Sequence, residues 1–372
     1  MKELTELVSR LVAIDSVNPS LIRGAAGEAE IAGFVASWLR GAGLEVEVED
    51  AAPGRPNVVG VARGSGGGRS LLLNAHMDTV GVAGMEAPFE PRVEKSRLYG
   101  RGAYDMKASL AAIMLAGREA ARRKLRGDVV AAAVVDEEVA SVGTEALVRK
   151  WKADAAIVTE PTGLKVGVAH KGFVAFEIET VGRAAHGSRP DLGVDAIAKM
   201  GHVLVGLDAL DRALRARQRH LLLGSGSLHA SIISGGQEYS SYPERCLLQG
   251  ERRIVPGESV GQVEAELSSL VGRLSIQDAQ LEASSRIVFS REPFEVRKDE
   301  PFVELVRRSA GGAELSGEAY WADSALLAGA GIPTVLFGPG GEGAHAVVEW
   351  VDLGQAKRCL DVLVAVASEW CG

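Results

Sequence analysis

The 372-residue sequence predicts an α/β fold: a larger domain with a mostly parallel sheet covered by helices on both faces, and an inserted ferredoxin-like α/β sandwich. Three observations lead there. Helix-like and strand-like segments alternate through roughly the first 170 residues. After Lys171-Gly172 the order becomes strand, helix, strand, strand, helix, strand. The βα alternation then returns near residue 291. A chain this long exceeds one typical domain. The division expected is 1–172 with 291–372 for the larger domain and 173–290 for the insert.

Each element has a local reason. Residues 2–14 and 27–43 place apolar side chains at helical spacing, and Gly41-Ala-Gly43 stops the second helix. Short strands are expected near 45–49, 57–63, 70–75 and 128–135, and another at 155–159. Residues 108–122 are rich in Ala and Leu and read as a buried helix. In the insert, 174–181 alternates like a half-exposed strand and a long helix runs from about 194 to 218. Strands near 227–234 and 246–254, a helix near 259–274 and a strand near 280–289 complete it. A helix at 301–310, a strand within 331–337 and a final helix after Asp352 close the larger domain.

Composition narrows the class. With 47% hydrophobic residues the chain can bury a large core. A net charge of −8 argues against a nucleic-acid partner. The first residues mix acidic and apolar side chains without a long apolar run, so neither a signal peptide nor a membrane anchor is expected. Cys246, Cys359 and Cys371 show no paired spacing, which points to a reducing cytoplasm rather than a disulfide framework. Gly64-Ser-Gly-Gly-Gly68 lacks the Lys-Ser/Thr and following helix of a phosphate loop.

The chemistry concentrates at the ends of apolar runs. His76-Met-Asp78 closes one, Asp136-Glu137-Glu138 follows the next, and Glu160-Pro161 follows a third. In an open α/β sheet, ligands gather just beyond the carboxyl ends of such strands. One imidazole and several carboxylates are therefore expected on one sheet edge. Hard oxygen donors with imidazole suit a divalent metal, and carboxylates packed this closely repel one another without a cation.

Five pieces in order now show a resemblance: His76-x-Asp78, Gly102-x-x-Asp105-Met-Lys107, Asp136-Glu137-Glu138, Glu160-Pro161-Thr162, and Gly338-Pro-Gly340 with His345. Together they resemble the co-catalytic zinc aminoacylase and carboxypeptidase family, which includes acetylornithine deacetylase, succinyl-diaminopimelate desuccinylase and bacterial glutamate carboxypeptidases. The resemblance spans nearly the whole chain. It implies two zinc ions, with cobalt or manganese as substitutes. Asp105 would bridge them, His76 and Glu160 would complete one site, and Glu138 and His345 the other. Glu137 would be the general base acting on a water held by both ions. Asp78 would accept the hydrogen on the other ring nitrogen of His76. A cis peptide between Asp105 and Met106 is also implied.

The insert carries three further candidates by the same resemblance. His186, in Gly182-Arg-Ala-Ala-His186-Gly-Ser-Arg-Pro190, would stabilise the developing oxyanion, in relatives often from the other subunit. Arg253 would clamp a substrate carboxylate bidentately. Ser240 stands where the family usually has Asn, so the two-sided hydrogen bonding of an amide is lost there. Trp321-Ala-Asp323 also departs from the usual Thr-Asp or Ser-Asp. The expected activity is hydrolysis of an amide in an N-acyl amino acid or small peptide with a free carboxylate. Acetylornithine deacetylase-like chemistry is the first expectation, and desuccinylase-like or dipeptidase/carboxypeptidase chemistry the second. A homodimer through the insert, acting as lid and dimerisation domain, is the expected assembly. A two-metal phosphoesterase is a remote alternative, because phosphoryl sites usually gather several cations. A catalytically silent scaffold would be expected to lack some of these ligands.

Overall fold

The computed structural model describes residues 1–217 and 220–372. Gln218 and Arg219, at the expected end of the long helix, lie outside the described residues. The chain divides into two compact units, Met1–Val168 with Val296–Ser316 and Ala322–Gly372, and Ala169–Glu295 with Gly317–Trp321. These edges fall a few residues from the expected divisions, and 317–321 packs with the second unit although the sequence reading left it with the first.

The first unit is built on a sheet whose strands run in the order Glu45–Ala52, Arg55–Ala62, Val129–Val134, Leu71–His76, Ala155–Val158, Thr334–Leu336 and the strand beginning at Val166. The four from Val129–Val134 to Thr334–Leu336 are mutually parallel, and the flanking pairings are antiparallel. Every residue of Leu71–His76, Val129–Val134 and Ala155–Val158 is buried. That burial explains their unbroken apolar runs, since a parallel sheet is covered on both faces. On one face Leu72, Val130, Ala132, Val134, Ala156 and Val158 pack with Leu147 and Leu327 from helices Val142–Lys150 and Ser324–Gly329. The helix Ala108–Arg123 packs against the same strands and against the last helix, Leu353–Trp370. That last helix is capped by Asp352, whose carboxylate accepts the Gln355 amide at 2.8 Å.

Two features were not expected from the sequence. Helix Val142–Lys150 follows Ser141, a residue type suited to capping, but its φ of 55° is left-handed and its side chain makes no cap bond. Four short strands, Arg92–Glu94, Arg97–Tyr99, Trp350–Asp352 and Gly341–Glu342, form a separate antiparallel sheet. They are only two or three residues long, too short for a periodic pattern.

The second unit is a four-stranded antiparallel sheet in the order Ser227–Gly235, Arg245–Ile254, Gly172–Val181, Glu282–Arg291. Helices Ala196–Ala216 and Val260–Gln277 close it in the expected sandwich order. Asp195 caps the first helix, and Ser259 with Gln262 forms a capping box on the second. The core joins Val174, Phe176 and Ile178 of the sheet to Met200, Val203, Leu207, Val263 and Leu267 of the helices. Trp321 meets Phe173 and His170 edge-on, and its indole N–H donates to the Glu292 carbonyl at 3.1 Å.

The Phe176 ring fills the space above Gly250, where an added Cβ would lie 2.4 Å from its Cζ. Phe176→Ala is expected to destabilise the second unit by about 3–5 kcal/mol, the usual cost of emptying a buried aromatic site. A urea titration with a midpoint unchanged from the parent would contradict this packing.

Candidate metal centre

The parallel strands deliver their chemistry to one edge. His76 is the last residue of its strand, Asp136-Glu137-Glu138 follows Val129–Val134, and Glu160 follows Ala155–Val158. Asp105 comes from a different element, an irregular turn at Ala103–Lys107 with φ −118° and ψ 92° at Asp105 and a cis peptide to Met106. Buried Glu349 grips that turn. Its carboxylate accepts the amides of Gly102 at 2.9 Å, Tyr104 at 2.9 Å and Asp105 at 3.0 Å, and the Arg101 guanidinium at 2.7 Å. His345 lies in the loop after Gly341–Glu342, with a left-handed φ of 62°.

Asp105 divides its two oxygens. Oδ1 is 3.2 Å from His76 Nε2, and Oδ2 is 3.5 Å from His345 Nε2. On the first side, Glu160 Oε1 stands 3.8 Å and Glu137 Oε2 4.0 Å from His76 Nε2. On the second side, Glu138 Oε2 is 2.9 Å from His345 Nε2. His76, Glu137 and Glu160 form one group whose donor atoms lie within 4.8 Å of one another, and His76, Asp105 and Glu138 form another. Glu160 Oε1 is buried and accepts no hydrogen bond. Imidazole and carboxylate donors in overlapping groups, with a buried oxygen left over, fit a pair of divalent ions.

The electrostatics agree. Burial raises the Glu160 and Glu137 carboxyls well above the usual range, and the Glu160 charge adds to the effect for Glu137. Burial and the Asp105 charge raise Glu138. His76 is desolvated, yet its bond to Asp105 and the surrounding carboxylates hold its pKa well above the usual value. Bonds to Asp105 and Glu138 lift His345 to about 10. Burial disfavours the Asp105 anion, but the two imidazoles hold it below the carboxylate range. Without a metal, protons supply the compensating charge; a cation would replace them.

The other sequence candidates fall out differently. The Asp78 carboxylate does not take the His76 ring hydrogen: Nδ1 pairs with the Asp78 backbone oxygen at 2.9 Å, while Oδ1 stands at 3.6 Å. The carboxylate accepts the amides of Glu137 at 3.1 Å and Glu138 at 3.2 Å instead, because the adjacent turn presents them to it. Asn18 donates to it at 2.7 Å. In the second unit, His186 and Ser240 come together: the Gly187 amide donates to the Ser240 carbonyl at 2.6 Å, and His186 bridges Ser241. The exposed His186 ring pairs with the Ser188 hydroxyl at 2.7 Å. Arg253 is held by Glu251 on its own strand face at 2.6 Å, with its guanidinium over Phe173. Sequence reasoning missed Glu349 and Asn18. Nothing local marks Glu349, whereas Ser16 and Asn18 are buried polar residues just beyond the first helix, with Pro19 following.

A mixed α/β unit that gathers these donors from strand ends, the Ala103–Lys107 turn and the His345 loop fits a metal-dependent hydrolase. The chain matches the model of peptidase family M20/M25/M40 over residues 72–369 and belongs to that family. It is 29% identical to the N-formyl-4-amino-5-aminomethyl-2-methylpyrimidine deformylase of Bacillus subtilis, over 100% of this chain and 95% of the relative. It is 30% identical to the acetylornithine deacetylase of Myxococcus xanthus, over 99% and 97%. Among solved structures, a Staphylococcus aureus tripeptidase superposes with a TM-score of 0.81 at 19% identity, covering 100% of this chain and 98% of that one. A dinuclear metal-binding peptidase of the family from Bacillus subtilis gives 0.74 at 17% identity, over 100% and 98%.

The raised pKa values set a pH dependence. A group whose pKa is raised on folding stabilises fully below its unfolded value and loses that contribution as pH climbs through the folded one. The Glu137 and Glu160 carboxyls and the His76 and His345 imidazoles all act in this direction. The metal-free protein is expected to lose thermal stability as pH rises above about 5 and to go on losing it up to about 10, where His345 gives up its proton, while the Tm gain on adding a divalent metal grows over the same range. A gain independent of pH in differential scanning fluorimetry would remove these side chains as ligands.

Proposed function

We propose that this protein hydrolyses the amide bond of an N-acyl amino acid, in the manner of acetylornithine deacetylase, as a cytoplasmic homodimer carrying two zinc ions. The observation that carries the reading is the division of Asp105 between His76 and His345, with Glu160 and Glu138 on either side. His76 and Glu160 would hold one ion, Glu138 and His345 the other, and Asp105 both. When bound, such ions polarise the scissile carbonyl and acidify water.

The chain's own groups do the rest. Glu137 is buried beside this cluster and binds protons readily. It takes the proton from the attacking water and passes it to the leaving amine. His186 donates to the oxyanion of the tetrahedral intermediate, and Ser240, joined to it by backbone bonds, offers a hydroxyl to the substrate. Arg253 binds the substrate carboxylate once that carboxylate displaces Glu251. Succinyl-diaminopimelate-like substrates and dipeptides share the same amide and carboxylate and are the runner-up. The pairing of Arg253 with Glu251 also favours a second reading, deformylation of an N-formyl amine without a carboxylate. The deformylase named above acts, by its name, on such a compound. A screen of N-acetyl, N-succinyl and N-formyl compounds and dipeptides with metal-reconstituted protein separates these readings, and no turnover of any amide would reject them all.

Glu137→Gln is expected to keep its metal content and lower kcat by roughly 10²–10⁴-fold, the span of a positioned acid–base. Near-normal turnover by that variant would refute the base role. Subunit sharing has its own check. His186→Ala keeps the metal ligands and Glu137→Gln keeps the histidine, so mixing the two under subunit exchange should restore part of the activity. No recovery despite demonstrated exchange would confine His186 to its own chain or exclude it from catalysis.

A further inference from the structure

We propose that Arg55 is a positioning residue for the acidic turn 136–138, acting on Glu137 and Glu138 through a buried relay with Glu28, Asp136 and Asn18. The inference rests on the roles given above to those two glutamates. Its origin is in the sheet. Strand Arg55–Ala62 runs antiparallel to Val129–Val134, with Val58 opposite Ala133. That register, carried three residues further, sets Arg55 opposite Asp136. The guanidinium forks there. Nη1 donates to Asp136 Oδ1 at 2.7 Å and to the Ser20 hydroxyl at 3.0 Å. On its other side Nε donates to Glu28 Oε2 at 2.8 Å, and Nη2 donates to Glu28 Oε1. The side chains of Glu28 and Asp136 are 0% and 3% exposed, so this cation compensates two buried anions.

The turn is held from two sides. Asp136 has a left-handed φ of 68°, uncommon for a residue with a side chain, and its carbonyl accepts the amides of Ala140 at 3.1 Å and Ser141 at 2.6 Å. On the opposite side Asp78 accepts the Glu137 and Glu138 amides. Asn18 Nδ2 ties the two sides together, at 3.1 Å from Asp136 Oδ1 and 2.7 Å from Asp78 Oδ2. None of these bonds reaches Asp105 or Glu160, and the one link toward His76 is the Asp78 backbone oxygen on its Nδ1, which does not pass through the Asp78 carboxylate. Loosening the relay therefore moves the base and one ligand of a single ion, while the other ion keeps His76 and Glu160. A residue that merely stabilised the domain would weaken both alike.

The test titrates the protein with Co²⁺, followed by visible absorption, and measures kcat and KM on the amide it hydrolyses. The parent should take up two equivalents. Arg55→Lys keeps the charge but loses the fork, and Asn18→Ala cuts the tie. Both variants should bind the first equivalent as the parent does and the second roughly 10–100-fold more weakly, the usual cost of losing a partner behind a ligand. Their kcat should fall over the same span with KM changed by less than about threefold. Unchanged affinity for both equivalents, or equal weakening of both, would overturn the proposal. Should Arg55→Lys fail to fold, Asn18→Ala decides by the same readouts. A parent that binds fewer than two equivalents would instead overturn the two-metal reading, and this inference with it.

Discussion

Buried carboxylates crowded onto one sheet edge are the constraint on which the rest of the first unit turns. Glu137 and Glu160 are pushed well above the usual carboxylate value and Glu138 is raised as well, and Asp105 stays ionised because imidazoles face both of its oxygens. Such a cluster is unfavourable in an unliganded fold, since each buried charge needs compensation. The surroundings are arranged to tolerate it. Glu349 spends its carboxylate on three backbone amides and one guanidinium, and Asp78 spends its own on two amides and an asparagine. The anions nearest the donor groups are thus either spoken for by backbone hydrogens or left open for a cation.

Much of this was legible in the sequence because the signals are local. Leu71–His76, Val129–Val134 and Ala155–Val158 are apolar runs ended by polar residues, and parallel strands that share a direction must share an end. The sandwich order of the second unit follows from its succession of strand-like and helix-like segments. What stayed hidden depends on long-range pairing. The carboxylate that holds the Asp105 turn comes from Glu349, far along the chain in a loop of ordinary composition. Asp78 sits two residues from His76, and the family resemblance pointed its carboxylate to the imidazole. The backbone amides of a turn from another strand end proved the better partners for its oxygens. No residue pattern records where an amide hydrogen will point.

The two units differ in how they manage exposed surface. In the first, the parallel strands are covered on both faces. In the second, the edge strand Ser227–Gly235 leaves Ile232 and Ile233 exposed at its open side. An unpaired edge with apolar side chains is the kind of surface that soluble chains normally blunt or cover. Ion pairs join neighbouring strands of this sheet, Arg245 with Glu179 and Arg286 with Glu177.

The short sheet joining Arg97–Tyr99 to Trp350–Asp352 bears on the order in which the molecule is made. Asp105 is held by Glu349, and helix Ala108–Arg123 packs on Leu353–Trp370. During synthesis the His76, Asp105 and Glu137 segments leave the ribosome long before the partners that shape them. Contacts so distant in sequence form late, because loop closure must precede them. The donor cluster reaches its full shape only once Glu349 and helix Leu353–Trp370 have docked.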